Sequence, residues 1–128
     1  VSDINMGFLS GTVVGDKDFR EWDGGKSVEI KVSVFAREYT DRSGNPKRIQ
    51  HQFTFACSTR EKHPNPLYPE VAGLNPGEWV LLRYELDQIH YEKNDEPRTF
   101  DKRTVTEIVQ HLRLPQADNR PDDPDVPF

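Results

Sequence analysis

Two tyrosines of this chain stand among cations just before turn-forming segments. Tyr39 follows Arg37 and precedes Arg42, Lys47 and Arg48; Tyr91 precedes Lys93, Arg98, Lys102 and Arg103. Trp22 lies between Arg20 and Lys26. Such residues bind rather than react. Exposed rings stack on bases of any sequence while guanidinium and ammonium groups track phosphates, the combination that single-stranded nucleic acid needs. Each stacked base contributes about 1–3 kcal/mol. A lone tyrosine at a strand end equally packs over a hairpin edge with its hydroxyl in water; recurrence before two turns favours the ligand. The expected stacking residues are Tyr39, Tyr91 and Trp22. The expected phosphate contacts are Arg37, Arg42, Lys47, Arg48, Arg98, Lys102 and Arg103.

A second constellation closes the chain. Asp122, Asp123 and Asp125 lead into Val126, Pro127 and Phe128. Prolines remove backbone donors and the aspartates repel one another, so this stretch does not fold alone. Carboxylates followed by an apolar ring suit a partner protein with a basic pocket and a hydrophobic slot.

Catalytic groups do not assemble in the sequence. His51, His63, His90 and His111 are scattered, with no cysteine or carboxylate at ligand spacing. There is no Gly-rich phosphate loop and no nucleophile elbow. Cys57 falls on an apolar strand face and reads as core. Neither an enzyme, a metal site nor a cofactor is expected.

Composition narrows the class. The 128 residues fit one domain plus a tail, with 34% apolar and 30% charged residues. The core is therefore thin. Net charge is −5, which opposes coating nucleic acid by bulk charge. Residues 115–128 hold four Asp and one Arg, or −3, leaving −2 for residues 1–114. Any nucleic-acid site must be a local basic face. One cysteine excludes an intrachain disulfide, and no apolar run approaches transmembrane length. With no secretory signal, a cytoplasmic protein is expected.

The elements that must position the rings are strands. Met6 to Val14 is apolar with glycines. From Lys26 to Ala36, Val28, Ile30, Val32, Val34 and Ala36 alternate with Glu29, Lys31, Ser33, Phe35 and Arg37. Residues 41–46 form a turn and Arg48 to Thr59 the return strand. Pro64, Pro66, Pro69 and Pro76 break any long helix, leaving room for a short one from Pro69 to Leu74. Glu78 to Gln88 is a strand, with Trp79 in the core or an interface. Residues 92–97 turn, and Arg98 to Leu114 carries the last strand, with a bulge or strand end between Val105 and Ile108. Five strands, two long hairpins and a helical connection after the third predict an all-β, five-stranded Greek-key barrel of the oligonucleotide-binding (OB) type. An open antiparallel sheet or small sandwich is the alternative.

At this point the chain resembles the bacterial and phage-type single-stranded DNA-binding protein family. Three pieces carry the resemblance: residues 7–15 with 25–34, the strand–turn units 36–45 and 88–95, and the acidic end 122–128. It implies aromatic stacking at Tyr39 and Tyr91, a homo-oligomer (dimer or tetramer), and recruitment of a helicase, nuclease, polymerase or recombination mediator through the tail. Gln50 and Ala56 stand where family members usually carry third-strand aromatics, and only Pro115 to Pro121 separates barrel from acidic tip. Such divergence suits a phage- or plasmid-encoded member in a bacterial cell.

The expected organisation is a DNA-binding domain over 1–114 and a flexible protein-interaction tail over 115–128. The expected function is sequence-independent coating of single-stranded DNA in replication, recombination or repair. The alternative is a protein-interaction adaptor of that machinery with weak DNA binding.

Overall fold

Val28, Ile30 and Val32 recur at every second position and all three are fully buried, so the strand they define turns one face to a core. The same alternation recurs along the chain. The computed structural model describes residues 3–113, and the tail 115–128 lies outside them. Its elements are β1 (Gly7–Trp22), β2 (Gly25–Thr40), β3 (Pro46–Arg60), α1 (Leu67–Ala72), β4 (Trp79–Lys93) and β5 (Glu96–Leu112). The strands close into one barrel in the order β1-β2-β3-β5-β4. Every pairing is antiparallel except β3 with β5, which run parallel through Phe55↔Arg103 and Ala56↔Thr104. The expected OB-type barrel is the observed one.

The first strand is longer than its sequence suggests. Gly15 adopts a left-handed φ of 70°, and the register slips between Val14 and Asp18. Glycine pays no Cβ penalty there, so the strand bends without ending. Pairing resumes at Asp18↔Glu29 and runs to Trp22↔Gly25. Trp22 is therefore the last residue of a strand, not part of a loop. The slip expected between Val105 and Ile108 is present as a bulge at Thr106, and a second, unexpected one follows at Val109; neither residue has a partner in β4.

The helix starts two residues earlier than expected. Pro69 sits in its first turn, where a backbone N–H has no intrahelical partner to lose. Asn65 fixes this turn to β3: its amide donates to the Ser58 carbonyl at 3.0 Å and its Oδ1 accepts from the Leu67 N–H at 3.0 Å. Tyr68, Val71 and Leu74 then enter the core beside Val28, Ile30, Phe55 and Leu82.

Close approach of strands shapes the other side. A Cβ on Gly11 would stand 2.8 Å from Val32 Cγ1 and closer still to the Ser33 carbonyl oxygen. Nearby, Gly77 donates to the Val13 carbonyl at 2.7 Å, and Val13 donates to that of Glu78 at 2.9 Å. The buried Glu78 carboxylate accepts from the Asn75 N–H at 2.7 Å, and His111 Nε2 lies 3.1 Å away, out of line for a hydrogen bond. Burial pushes the Glu78 carboxyl up, but the Asn75 N–H, His111 and Arg113 outweigh it and hold the group below its ordinary value.

Two measurements test this frame. Gly11→Ala is expected to lower unfolding free energy by about 1–3 kcal/mol in urea titrations, through the forced strand separation. A depressed carboxyl stabilises the fold above its unfolded value and loses that contribution as pH falls through the folded value. Stability should therefore decline below about pH 4.3. Glu78→Gln should be less stable at pH 7 and show a shallower acid decline.

Candidate nucleic-acid interface

Beyond the barrel wall, two pairs of strands continue as two-stranded ribbons. The first arm is β2 with β3, paired from Val34↔His51 to Thr40↔Pro46. Its tip is set by Asp41, whose Oδ1 accepts from the N–H groups of Ser43 at 2.9 Å and Asn45 at 2.8 Å, while Gly44 takes φ 83°. The second arm is β4 with β5, paired from Tyr84↔Val105 to Lys93↔Glu96. Its two-residue turn places Asn94 and Asp95 at φ 54° and 62°, the left-handed pair that matches strand twist. Asn5 borders this arm at the β4 edge. Its side chain donates to the Leu86 carbonyl at 2.7 Å and accepts from the Leu86 N–H at 2.9 Å, as a further strand would.

A bulge decides which side of the first arm carries the chemistry. The register shifts between Phe35 and Arg37, leaving Ala36 without a partner. Partners across an antiparallel pair share a face. Arg37, paired with Ile49, and Tyr39, paired with Lys47, therefore join Val34, His51 and Phe53 on the side continuous with the barrel interior. Unbroken alternation would have put Arg37 beside Phe35, as the sequence implied. Tyr39 is 50% exposed, so its ring is free to meet a ligand. Arg103 reaches this same side from the second arm, its guanidinium 4.8 Å from the centre of the Phe53 ring. His51 packs at 6.3 Å from that ring. Arg37, Tyr39, Lys47, His51, Phe53 and Arg103 thus share the inner face of the cleft where the two arms part.

The other expected residues sit elsewhere. Arg48 is on the outer side of the first arm, 4.7 Å over the exposed Phe35 ring and 3.6 Å from Glu38. Arg42 is exposed at the arm tip. Tyr91 pairs with Arg98, and by register both fall on the outer side of the second arm with Ile89, Phe100 and Lys102. Tyr91 meets Phe100 edge to face at 5.9 Å, and Arg98 is held 3.2 Å from Glu96. Tyr39 and Tyr91 therefore occupy opposite sides of their ribbons. Trp22 is remote from both: it ends the β1–β2 hairpin, at the end of β2 away from Tyr39, with its indole against Gly25 beside Glu21 and Glu61. Of the two third-strand positions lacking an aromatic, Gln50 is exposed and Ala56 is buried.

Charge separates the arms as well. Residues 35–51 hold four Lys/Arg against two acids, whereas residues 85–103 hold four against six. The first arm is basic and the second acidic. Phe53, Phe35 and Phe100 escaped the sequence reading because each sits mid-strand, where alternation alone does not separate core from ligand face. Arg103 and Arg48 were named from the sequence, but their contacts with Phe53 and Phe35 were legible only once register was known.

Among the described residues no cluster of His, Cys, Asp and Glu is arranged to hold a metal ion, and no helix is long and apolar enough to cross a membrane. Cys57 is buried in the core, and burial pushes its thiol up, partly countered by Lys102.

A closed five-stranded barrel with a helix between the third and fourth strands, and ribbons extending from it, is an OB fold carrying a candidate oligonucleotide surface. Two solved structures share it. A chain of a Plasmodium falciparum SSB complex with ssDNA aligns with a TM-score of 0.58 at 16% identity, over 87% of this chain and 93% of its own. A deletion mutant of the single-stranded DNA binding protein from Thermus aquaticus aligns with a TM-score of 0.60 at 20% identity, over 86% of this chain. This chain spans 51% of that one. Both neighbours are named as DNA-binding proteins, and at these identities the likeness is one of fold. Comparison with protein-family models and with curated proteins gives no match.

Native Cys57 should react with a disulfide reagent at least 100-fold more slowly than the urea-unfolded chain, because a buried, protonated thiol is a poor nucleophile. Equal rates would contradict the core placement.

Proposed function

We propose that this chain binds single-stranded DNA without sequence preference. The observation that carries the reading is the inner face of the cleft, where Tyr39, His51 and Phe53 alternate with Arg37, Lys47 and Arg103. Rings there stack on bases and cations follow the backbone. The fold is shared with a protein described in complex with ssDNA, which supports the same use here. Arg42 and Arg48 extend the basic arm. Arg98, Lys102, Tyr91 and Trp22 contribute less, because each stands apart from the cleft or beside acids. The DNA-binding domain spans 1–114, and the function served is protection of single strands in replication, recombination or repair.

Two further roles belong to this reading. Ile4, Met6 and Phe8, at the start of the described chain, leave 89%, 54% and 59% of their surface exposed, which supports self-association into a homo-oligomer. The tail over 115–128 recruits a genome-maintenance enzyme through Asp122, Asp123, Asp125, Val126, Pro127 and Phe128. A second reading, an adaptor with weak DNA binding, is favoured by the acidic second arm, whose Tyr91–Phe100 pair resembles a protein-contact surface more than a phosphate track.

Fluorescence anisotropy with labelled dT oligonucleotides against equal-length duplex, over a salt series, tests the proposal. Single strands should bind preferentially, with log affinity falling by about 0.7 per neutralised phosphate per decade of salt. Tyr39→Ala should weaken binding by roughly 5- to 150-fold, the loss of one stacked base, and Tyr91→Ala by less. Arg37→Ala with Lys47→Ala should reduce the salt slope by about 1.4. No preference for single strands at low salt would leave the adaptor.

A further inference from the structure

Closure of the barrel leaves the second arm with an open edge. β1 covers β4 from Trp79 to Tyr84, and the Asn5 side chain then takes both backbone groups of Leu86. Pairing with β5 runs without a register shift from Tyr84 to Lys93. The alternation that turns the Leu86 groups away from β5 therefore turns those of Gln88, His90 and Glu92 the same way. Among the described residues nothing bonds to the N–H and C=O groups of these three. The other arm edges differ. β3 and β5 face one another across the cleft. β2 is bulged at Ala36, a device that blunts an edge, and beyond it carries Arg37 and Tyr39 of the DNA surface. The free stretch of β4 is unbroken, and the DNA-binding reading does not use it.

We propose that this edge is a two-fold interface, at which a second copy of the chain adds its own β4 antiparallel, with His90 opposite its counterpart. The proposal rests on the homo-oligomer reading, to which it gives a surface, and is independent of DNA binding. The register follows from the free groups, since only residues turned outward bond across a seam. Leu86 is occupied and Asn94 begins the turn, so Gln88, His90 and Glu92 form the set. A two-fold pairing that uses all three centres on His90, sets Gln88 against the second copy's Glu92 and makes about six backbone hydrogen bonds. The outer side is then self-complementary. Ile89 falls opposite Tyr91 and beside Phe100, whose rings are 43% and 50% exposed in the single chain. Asp87 falls opposite Lys93, and Lys93's own hairpin neighbour Glu96 is held by Arg98. Aliphatic–aromatic and opposite-charge pairs both stabilise facing strands. Sliding one copy by two residues would instead set Asp87 against Tyr91 and Glu92 against the Leu86 groups that Asn5 holds.

Joining the edges turns two ribbons into one four-stranded sheet, β5-β4-β4-β5. A two-stranded ribbon is marginal alone in water, and a wider sheet with an apolar cluster on one side is not. In each copy β5, not β4, borders the cleft, so both nucleic-acid surfaces stay open.

Single cysteines in the full chain test the register, with Cys57 buried and out of reach. Under mild oxidation with oxidised glutathione, His90→Cys should form a disulfide-linked dimer at least tenfold faster than Gln88→Cys. Position 90 alone meets its own counterpart, with Cα atoms about 5.5 Å apart, within disulfide reach. An equimolar mixture of Gln88→Cys and Glu92→Cys chains should link at least fivefold faster than either alone. Equal rates across the variants, or no dimer, overturn the proposal. Sedimentation equilibrium gives a second readout. His90→Lys sets two ammonium groups face to face and should raise the dimer dissociation constant at least tenfold. An unchanged constant overturns the interface. Loss of association in a Met6→Ser/Phe8→Ser variant, with none in His90→Lys, would refute the β4 edge and leave the homo-oligomer reading standing. A monomer at every concentration refutes both.

Discussion

Two residue pairs, Phe55 with Arg103 and Ala56 with Thr104, join β3 to β5, and the rest of the molecule is arranged around the shortness of that seam. It is the barrel's one parallel junction and completes the closure that leaves the wall no unpaired edge. Because it lasts only two residues, β3 and β5 part on its arm side and each continues with a hairpin partner instead. The arms and the cleft between them are thus consequences of where pairing stops. Phe55, wholly buried at the seam, packs edge to face on Tyr84 at 5.3 Å, so the same residue anchors the core and the root of the second arm.

Stability and function are divided along the strands. The buried cluster draws on β1, β2 and β3 around Val13, Val28 and Phe55, on α1, and on the barrel portions of β4 and β5. Beyond it the ribbons bury little, and a two-stranded hairpin is marginal by itself in water. The arms hold through what local chemistry they have: the Asp41 side chain closing one turn, left-handed Asn94 and Asp95 closing the other, and Asn5 covering an edge of β4. A low apolar fraction suits this arrangement, since long surface ribbons need polar residues on both sides.

Strand number and the two hairpins could be read from alternation because Val28, Ile30 and Val32 or Val80 and Leu82 obey period two without interruption, whereas the barrel rested on the strand count, the helical connection and the family resemblance. Legibility failed where a bulge intervened. Gly15 looked like the end of a strand, yet the chain bends there and pairs again to Trp22. Ala36 looked like one more core position, yet it is extruded and changes the side on which everything after it lies. Composition near the tyrosines drew attention to the arms, but not to the difference between them. The opposite sides of Tyr39 and Tyr91, and the contact of Arg103 with Phe53, depend on register across strands distant in sequence, and no local pattern encodes that.

The unpaired Ala36 makes the first arm a parity device. Taking that single residue into the ladder, with Ala36 paired to Ile49, would shift β2 by one position against β3 and turn its far end over, sending Arg37 and Tyr39 outward and bringing Glu38 inward. Changes of arm length by matched pairs of residues, beyond the bulge, would leave the inner side intact. A one-residue slip of β2 against β3 would instead replace Arg37 and Tyr39 by Glu38 on the inner side without disturbing any residue of the barrel.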